Sequence, residues 1–112
     1  MIAKALIAAS TKPMILSILL NGENYGYQII QSVKRISGGQ LEWSDGMLYP
    51  VLHRLEKDGF IRSKWKISEE GRRRKYYIIT DSGRAELEAD IAQWKSVHDA
   101  LSRLWNTQPA FK

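Results

Sequence analysis

Leu48-Tyr49-Pro50-Val51-Leu52-His53-Arg54-Leu55-Glu56-Lys57-Asp58-Gly59-Phe60-Ile61 is the stretch that decides how this chain folds. Leu48, Val51, Leu52 and Leu55 recur at helical spacing and form one apolar stripe, with Tyr49, His53 and Arg54 off it. Ser44 just upstream is a good N-cap, and Asp45 in the first turn suits the helix dipole. Pro50 falls inside the helix, where it removes the hydrogen bond back to Gly46 and is expected to bend the first turns. Lys57-Asp58-Gly59 ends the helix. From Phe60 the period changes to two.

Downstream, Ile61, Ser63, Trp65 and Ile67 alternate with Arg62, Lys64 and Lys66, which predicts a strand with one dry and one wet face. A second strand is expected over Lys75-Tyr76-Tyr77-Ile78-Ile79-Thr80, rich in β-formers, with Ser68 to Arg74 as a polar hairpin tip. The last helix begins near Thr80-Asp81-Ser82-Gly83 and runs to about Trp105. Leu87, Ile91, Trp94, His98, Leu101 and Trp105 follow heptad spacing on it, with Val97 and Leu104 widening the seam. A helix of this length projects beyond a small body. Its stripe calls for a partner, most economically the same helix of a second copy.

Upstream, Met1 to Ser10 is expected to form a short helix; its apolar run after Lys4 is shorter than the roughly 7 to 15 residues of a signal-peptide core. Pro13 then reads as the first-turn residue of a nearly buried helix carrying Met14, Ile15, Leu16, Ile18, Leu19 and Leu20, with Gly22 as its stop. After Asn21-Gly22-Glu23-Asn24, another helix runs from Tyr25 or Gly26 to about Ser37, with Ile29, Ile30, Val33 and Ile36 on its apolar face and Gly38-Gly39 at its end. The sum is a mainly α chain with a β-hairpin wing. It is a winged helix-turn-helix over residues 1–80, followed by a long dimerisation helix and tail over 81–112.

The 112 residues suffice for one modest core. They include no Cys, which excludes disulfides, thiolate metal sites and Cys nucleophiles and is usual for a cytoplasmic protein. No run of about 18 apolar residues is present to span a membrane. The net charge of +5 is localised: residues 62–75 hold seven basic and two acidic side chains, and the remainder balances at ten of each. Charge confined to one segment points to a polyanion, nucleic acid first and an anionic membrane surface second.

Leu48-Tyr49-Pro50 leading through Arg54-Leu55-Glu56 to Gly59 resembles the signature of the PadR family of transcriptional regulators. Gly71-Arg72-Arg73-Arg74-Lys75-Tyr76-Tyr77 with Thr80 and Gly83 resembles that family's wing tip and exit into the last helix. Gly26-Tyr27-Gln28-Ile29 is similar to its second-helix entry, although Tyr25 and Gln28 replace the His and acidic residue often found there. The match covers about residues 14–84, and the single helix after the wing resembles the family's short branch.

The resemblance implies a homodimer on double-stranded operator DNA, with the third helix in the major groove and the wing along the neighbouring backbone. Ser44, Tyr49, Pro50, His53 and Arg54 would meet the duplex from the helix, and Arg72, Arg73, Arg74 and Lys75 from the wing. Leu87, Ile91, Trp94, Leu101, Leu104 and Trp105 would form the dimer interface. In some short-branch members an aromatic of this helix stacks on flat hydrophobic compounds. Trp94, with Val97, His98 and Leu101, is thus the implied ligand contact. Two readings stand for Trp94, ligand stacking and plain dimer packing. For the arginine run the alternative is a solubilising hairpin tip.

An enzyme is disfavoured. His53 and His98 lie on separate helices, and the chain lacks a phosphate-binding Gly-rich loop and metal-ligand spacing, so no cofactor or metal is expected. The remaining competitor is a winged helix that binds proteins rather than DNA. Small size and the family resemblance favour repression over activation.

Overall fold

The computed structural model describes residues 1–107; the tail 108–112, expected at the end of the dimerisation segment, lies outside the described residues. The elements are α1 (Lys4–Leu20), β1 (Asn24–Tyr25), α2 (Gly26–Ile36), α3 (Asp45–Lys57), β2 (Ile61–Ile67), β3 (Arg73–Ile79) and α4 (Asp81–Thr107). The three strands form one antiparallel sheet in the order β1-β3-β2. Among the described residues no helix is long and apolar enough to cross a membrane.

The cap, the stop and the apolar stripe of the deciding stretch form as its sequence predicts. Ser44 takes an extended backbone and its hydroxyl accepts from the Met47 N–H at 3.2 Å. At the other end Phe60 N–H reaches the Leu55 carbonyl and Gly59 N–H that of Glu56, the paired bonds of a Schellman motif. Gly59 has φ of 83°, a left-handed conformation that glycine adopts without a Cβ clash. Leu48, Leu52 and Leu55 are buried against Ile15, Leu16 and Leu19 of α1, Ile29 and Val33 of α2, and Ile61, Tyr77 and Ile79 of the sheet. Leu41 and Trp43, between α2 and α3, complete this core. Pro50 sits on the exposed side of α3 without ending it.

Several expectations need correction. First, the two N-terminal helices are one, and α1 passes through Pro13. Proline inside a helix costs about 3 kcal/mol. Here both halves are held: Thr11 is buried and Ile7 packs on the core before the proline, Ile15 and Leu16 after it, and the Ser10 and Thr11 hydroxyls both donate to the Ile7 carbonyl. Only one side of α1 is dry, since Leu20 is exposed.

Second, the wing is dry only at its base. Ile61, Tyr77 and Ile79 are buried, whereas Trp65 is 56% and Ile67 75% exposed, because the strands outrun the helices beneath them. Third, Arg73 and Arg74 belong to β3 and not to the tip. The turn closes earlier, with Ser68 N–H bonded to the Arg72 carbonyl at 2.7 Å and Gly71 at φ of 82°. Fourth, Leu87, expected in the dimer seam, is 2% exposed within this one chain and belongs to its own core. Ile36, expected on the buried face of α2, is exposed as well. The sheet also gains β1, whose Asn24 and Tyr25 pair with Tyr77 and Tyr76 of β3.

A single residue joins β3 to α4. Thr80 hydroxyl donates to the Gly59 carbonyl at 2.6 Å and accepts from Gly83 N–H at 3.0 Å, so it caps α4 while tying it to the end of α3. Gly83 lies so close to the chain at Phe60 that a Cβ there would come within 2.0 Å of the Phe60 carbonyl oxygen. Further along, Lys12 of α1 is ion-paired to Glu86 and lies 3.4 Å from Asp90. Partial burial works against the Lys12 charge, but these two carboxylates outweigh it and raise its pKa. From Ile91 to Leu101 every residue of α4 is exposed. The arm thus leaves the body, and with it the chain reaches 58 Å along its longest axis.

Candidate nucleic-acid interface

Antiparallel register sorts the wing into two faces, since cross-strand partners lie on the same side. Ser63 pairs with Tyr77, Trp65 with Lys75 and Ile67 with Arg73. Arg62 pairs with Ile78, Lys64 with Tyr76 and Lys66 with Arg74 on the other side. The first face turns towards α3: Ser63 hydroxyl donates to the Glu56 carboxylate at 2.6 Å. On the second, Glu23, just ahead of β1, holds Lys66 at 2.6 Å and Lys64 at 3.1 Å. The hydrogen bonds from Lys66 and Lys64 hold the Glu23 carboxyl below its usual range, and the same contact raises Lys66.

A concave groove of about 710 Å³ lies between α3 and the first face. Tyr49 and His53 line it from the helix, Trp65, Arg72, Arg73, Arg74 and Lys75 from the wing, and Tyr25 from β1. Basic and aromatic groups interleave there. The Arg73 guanidinium lies 4.8 Å from the Trp65 ring centroid and Lys75 Nζ 5.8 Å from that of Tyr77. Arg74 is instead 4.3 Å from the Tyr25 ring and 3.8 Å from Glu70.

Tyr49 is not a freely hanging side chain. It lies over the first residue of α2, where a Cβ on Gly26 would come within 2.5 Å of its hydroxyl. Behind it stands Tyr77, 1% exposed, whose hydroxyl has no hydrogen-bond partner among the described residues. Burial first, then the neighbouring Tyr49 and Glu56, push the Tyr77 pKa up to about 12.

Of the residues singled out on the helix, Tyr49 and His53 join the wing's basic run in this groove. Ser44 spends its hydroxyl on the helix cap, and Arg54 lines a separate recess between α1 and α3 with Lys4, Lys12 and Glu86. Pattern reading missed Trp65, which it assigned to the dry face, and Tyr25, which anchors Arg74. The alternation of Lys or Arg with Trp or Tyr from Arg62 to Tyr77 was the available signal.

On the arm, Trp94, Val97, His98, Leu101, Leu104 and Trp105 are all exposed. Trp94 and Ile91 also border an apolar groove of about 680 Å³ formed with Ile2, Met14 and Ile18 of the N-terminal segment and Ile36 of α2. Val97, His98 and Leu101 lie beyond it, so the four suggested ligand contacts divide between the body and the free helix. His98 Nδ1 is 3.7 Å from the Asp99 carboxylate.

The family model of the transcriptional regulator PadR-like family matches residues 15–89. A transcriptional regulator of Mycobacterium tuberculosis is 38% identical over 82 residues, 73% of each chain. The negative transcriptional regulator PadR of Bacillus subtilis is 36% identical over 76 residues, 68% of this chain and 42% of that longer one. The crystal structure of a PadR-like transcriptional regulator from Bacillus cereus superposes with a TM-score of 0.83 at 30% identity, covering 94% of this chain and 100% of that one. All three are named as transcriptional regulators. With three helices, a wing and a long final helix, and a family match over most of the body, the chain belongs to the PadR-like family of transcriptional regulators.

Proposed function

We propose that this chain is a homodimeric repressor that binds operator DNA with α3 in the major groove and the wing along the adjacent backbone. The observation that carries the reading is the single groove in which Tyr49 and His53 of α3 face Trp65, Arg73 and Lys75 of the wing. A cationic, aromatic-lined concavity beside an exposed helix face suits a duplex better than it suits an anionic membrane surface. Phosphate contacts come from Arg72, Arg73 and Lys75, and Tyr49 offers its hydroxyl. The name of the Bacillus subtilis relative, a negative regulator, supports repression. Operator binding places the protein with the DNA in the cytoplasm, where a cysteine-free chain is at home.

The second copy is drawn in by the arm. Ile91, Trp94, Val97, Leu101, Leu104 and Trp105 leave an apolar stripe exposed, and a matching helix covers it most economically. A flat hydrophobic ligand then fits between the arms against Trp94 and loosens operator binding. Fluorescence titration with planar aromatic cations tests that contact: the response should be lost in Trp94→Ala.

Anisotropy of a labelled duplex tests the DNA reading. With about six phosphate contacts per dimer, log affinity should fall with log salt at a slope near −5, from about −0.9 per contact. Affinity that is flat with salt, together with a stable protein partner, would instead support the protein-binding winged helix.

A further inference from the structure

Arg73 and Arg74 are adjacent in sequence and chemically identical, yet the wing presents them differently. We propose that Arg73, held over the Trp65 ring, is the arginine through which the wing grips a DNA duplex, whereas Arg74 is a fastener that ties the wing to β1. This rests on the DNA-binding reading above and assigns its wing contact to one side chain and a positioning partner.

Three observations support the division. The strand pleat puts Arg73 on the same face as Trp65 and Lys75, towards α3, and Arg74 on the opposite one. Arg73 is exposed, while the Arg74 side chain is only 23% exposed, enclosed by the Tyr25 ring at 4.3 Å and Glu70 at 3.8 Å. Its neighbours Lys64 and Lys66 are likewise engaged by Glu23. Three of the four basic side chains on the back of the wing are therefore engaged by Glu23 and Glu70. Among the described residues Arg73 and Lys75 on the front are in no ion pair.

Trp65 explains how the front charge is held. Tryptophan more than half exposed on a strand leaves an apolar surface in water, and Arg73 lies 4.8 Å from its ring. A guanidinium stacked on an indole keeps its fork of donors outward and loses less freedom when it meets a phosphate or a groove edge. Lysine retains the charge but not the planar stack. Trp65 is thus a positioning residue, acting through Arg73.

The test uses the full chain and a fluorescein-labelled mixed-sequence duplex of about 30 base pairs, three helical turns. Arg73→Gln should reduce the magnitude of the salt slope by about 0.9 per wing, or about 1.8 for a dimer. Arg74→Gln should leave the slope as in wild type while lowering the melting temperature. Arg73→Lys should keep the slope but bind more weakly. Trp65→Ala should weaken binding about 3- to 5-fold per wing at fixed salt without changing the slope, and Trp65→Phe should restore most of it. A larger slope change in Arg74→Gln than in Arg73→Gln, or wild-type affinity in Trp65→Ala, overturns the assignment and leaves DNA binding intact. Absence of salt-sensitive binding by the wild-type chain overturns both.

Discussion

The wing and the arm both leave the body carrying aromatic residues, and they dress them in opposite ways. On the wing and beside it, Trp65, Tyr76, Tyr77 and Tyr25 each have a Lys or Arg within 6 Å of the ring. On the arm, Trp94 and Trp105 run in line with Ile91, Val97, Leu101 and Leu104 as an apolar stripe. A ring faced by a cation is suited to water and to a polyanion, since the cation covers the apolar surface and still offers its donors. A ring among aliphatic side chains is suited to another apolar surface. The wing is basic and the arm is not, and on the reading proposed above what surrounds each aromatic separates a surface for nucleic acid from a surface for a second chain.

The largest expected effect breaks both regions at once. Gly83→Ala places a Cβ against the Phe60 carbonyl, where backbone of the wing's first strand meets the start of α4. Neither side can move like a flexible side chain, so a loss of about 3 kcal/mol or more is expected in urea unfolding. Next in size, Leu101→Glu sets a charge in the middle of the arm's stripe. Sedimentation equilibrium should show the dimer weakened by about 100-fold with the monomer's melting temperature unchanged, the order expected for a buried unpaired charge. An unchanged dimer would mean that the arm is not the interface.

The smallest effect probes the base of the wing. Tyr77 buries a hydroxyl that no group among the described residues satisfies, so Tyr77→Phe should be neutral or stabilising by about 1 kcal/mol in thermal or urea unfolding. The pH dependence has a definite sign. With a folded pKa of about 12 against 10.0 unfolded, the native state keeps its proton where the unfolded state loses it. Stability from this group is complete below pH 10 and declines as pH rises towards 12. Tyr77→Phe should remove that alkaline decline.

Local chemistry was the legible part of the sequence. Ser44 as a cap, Gly59 as a stop and the Leu48 to Leu55 stripe need only near neighbours, and the structure shows each. What depends on distant chain was hidden. Alternation reports that Trp65 shares a face with Ile61, but not that helix lies beneath one and water beneath the other. The heptad from Leu87 to Trp105 runs unbroken across the point where the body ends, so period alone cannot separate core from arm. A two-residue strand such as β1 has no period at all and exists through its pairing with β3. In the candidate site, the basic run was visible, whereas the division of Arg73 from Arg74 needed the register.

The one-residue junction at Thr80 has a mechanical consequence. β3 ends at Ile79 and α4 begins at Asp81, with the Thr80 side chain bonded on both sides, so strand and helix join without slack. A helix of 27 residues is a stiff rod of about 40 Å. A tilt of about 10° at its far end moves the near end by about 7 Å over that length. In a pair of such rods, a small change in crossing angle becomes a change in the spacing of two wings comparable to the rise of two base pairs, and the arm is then a lever as well as a seam.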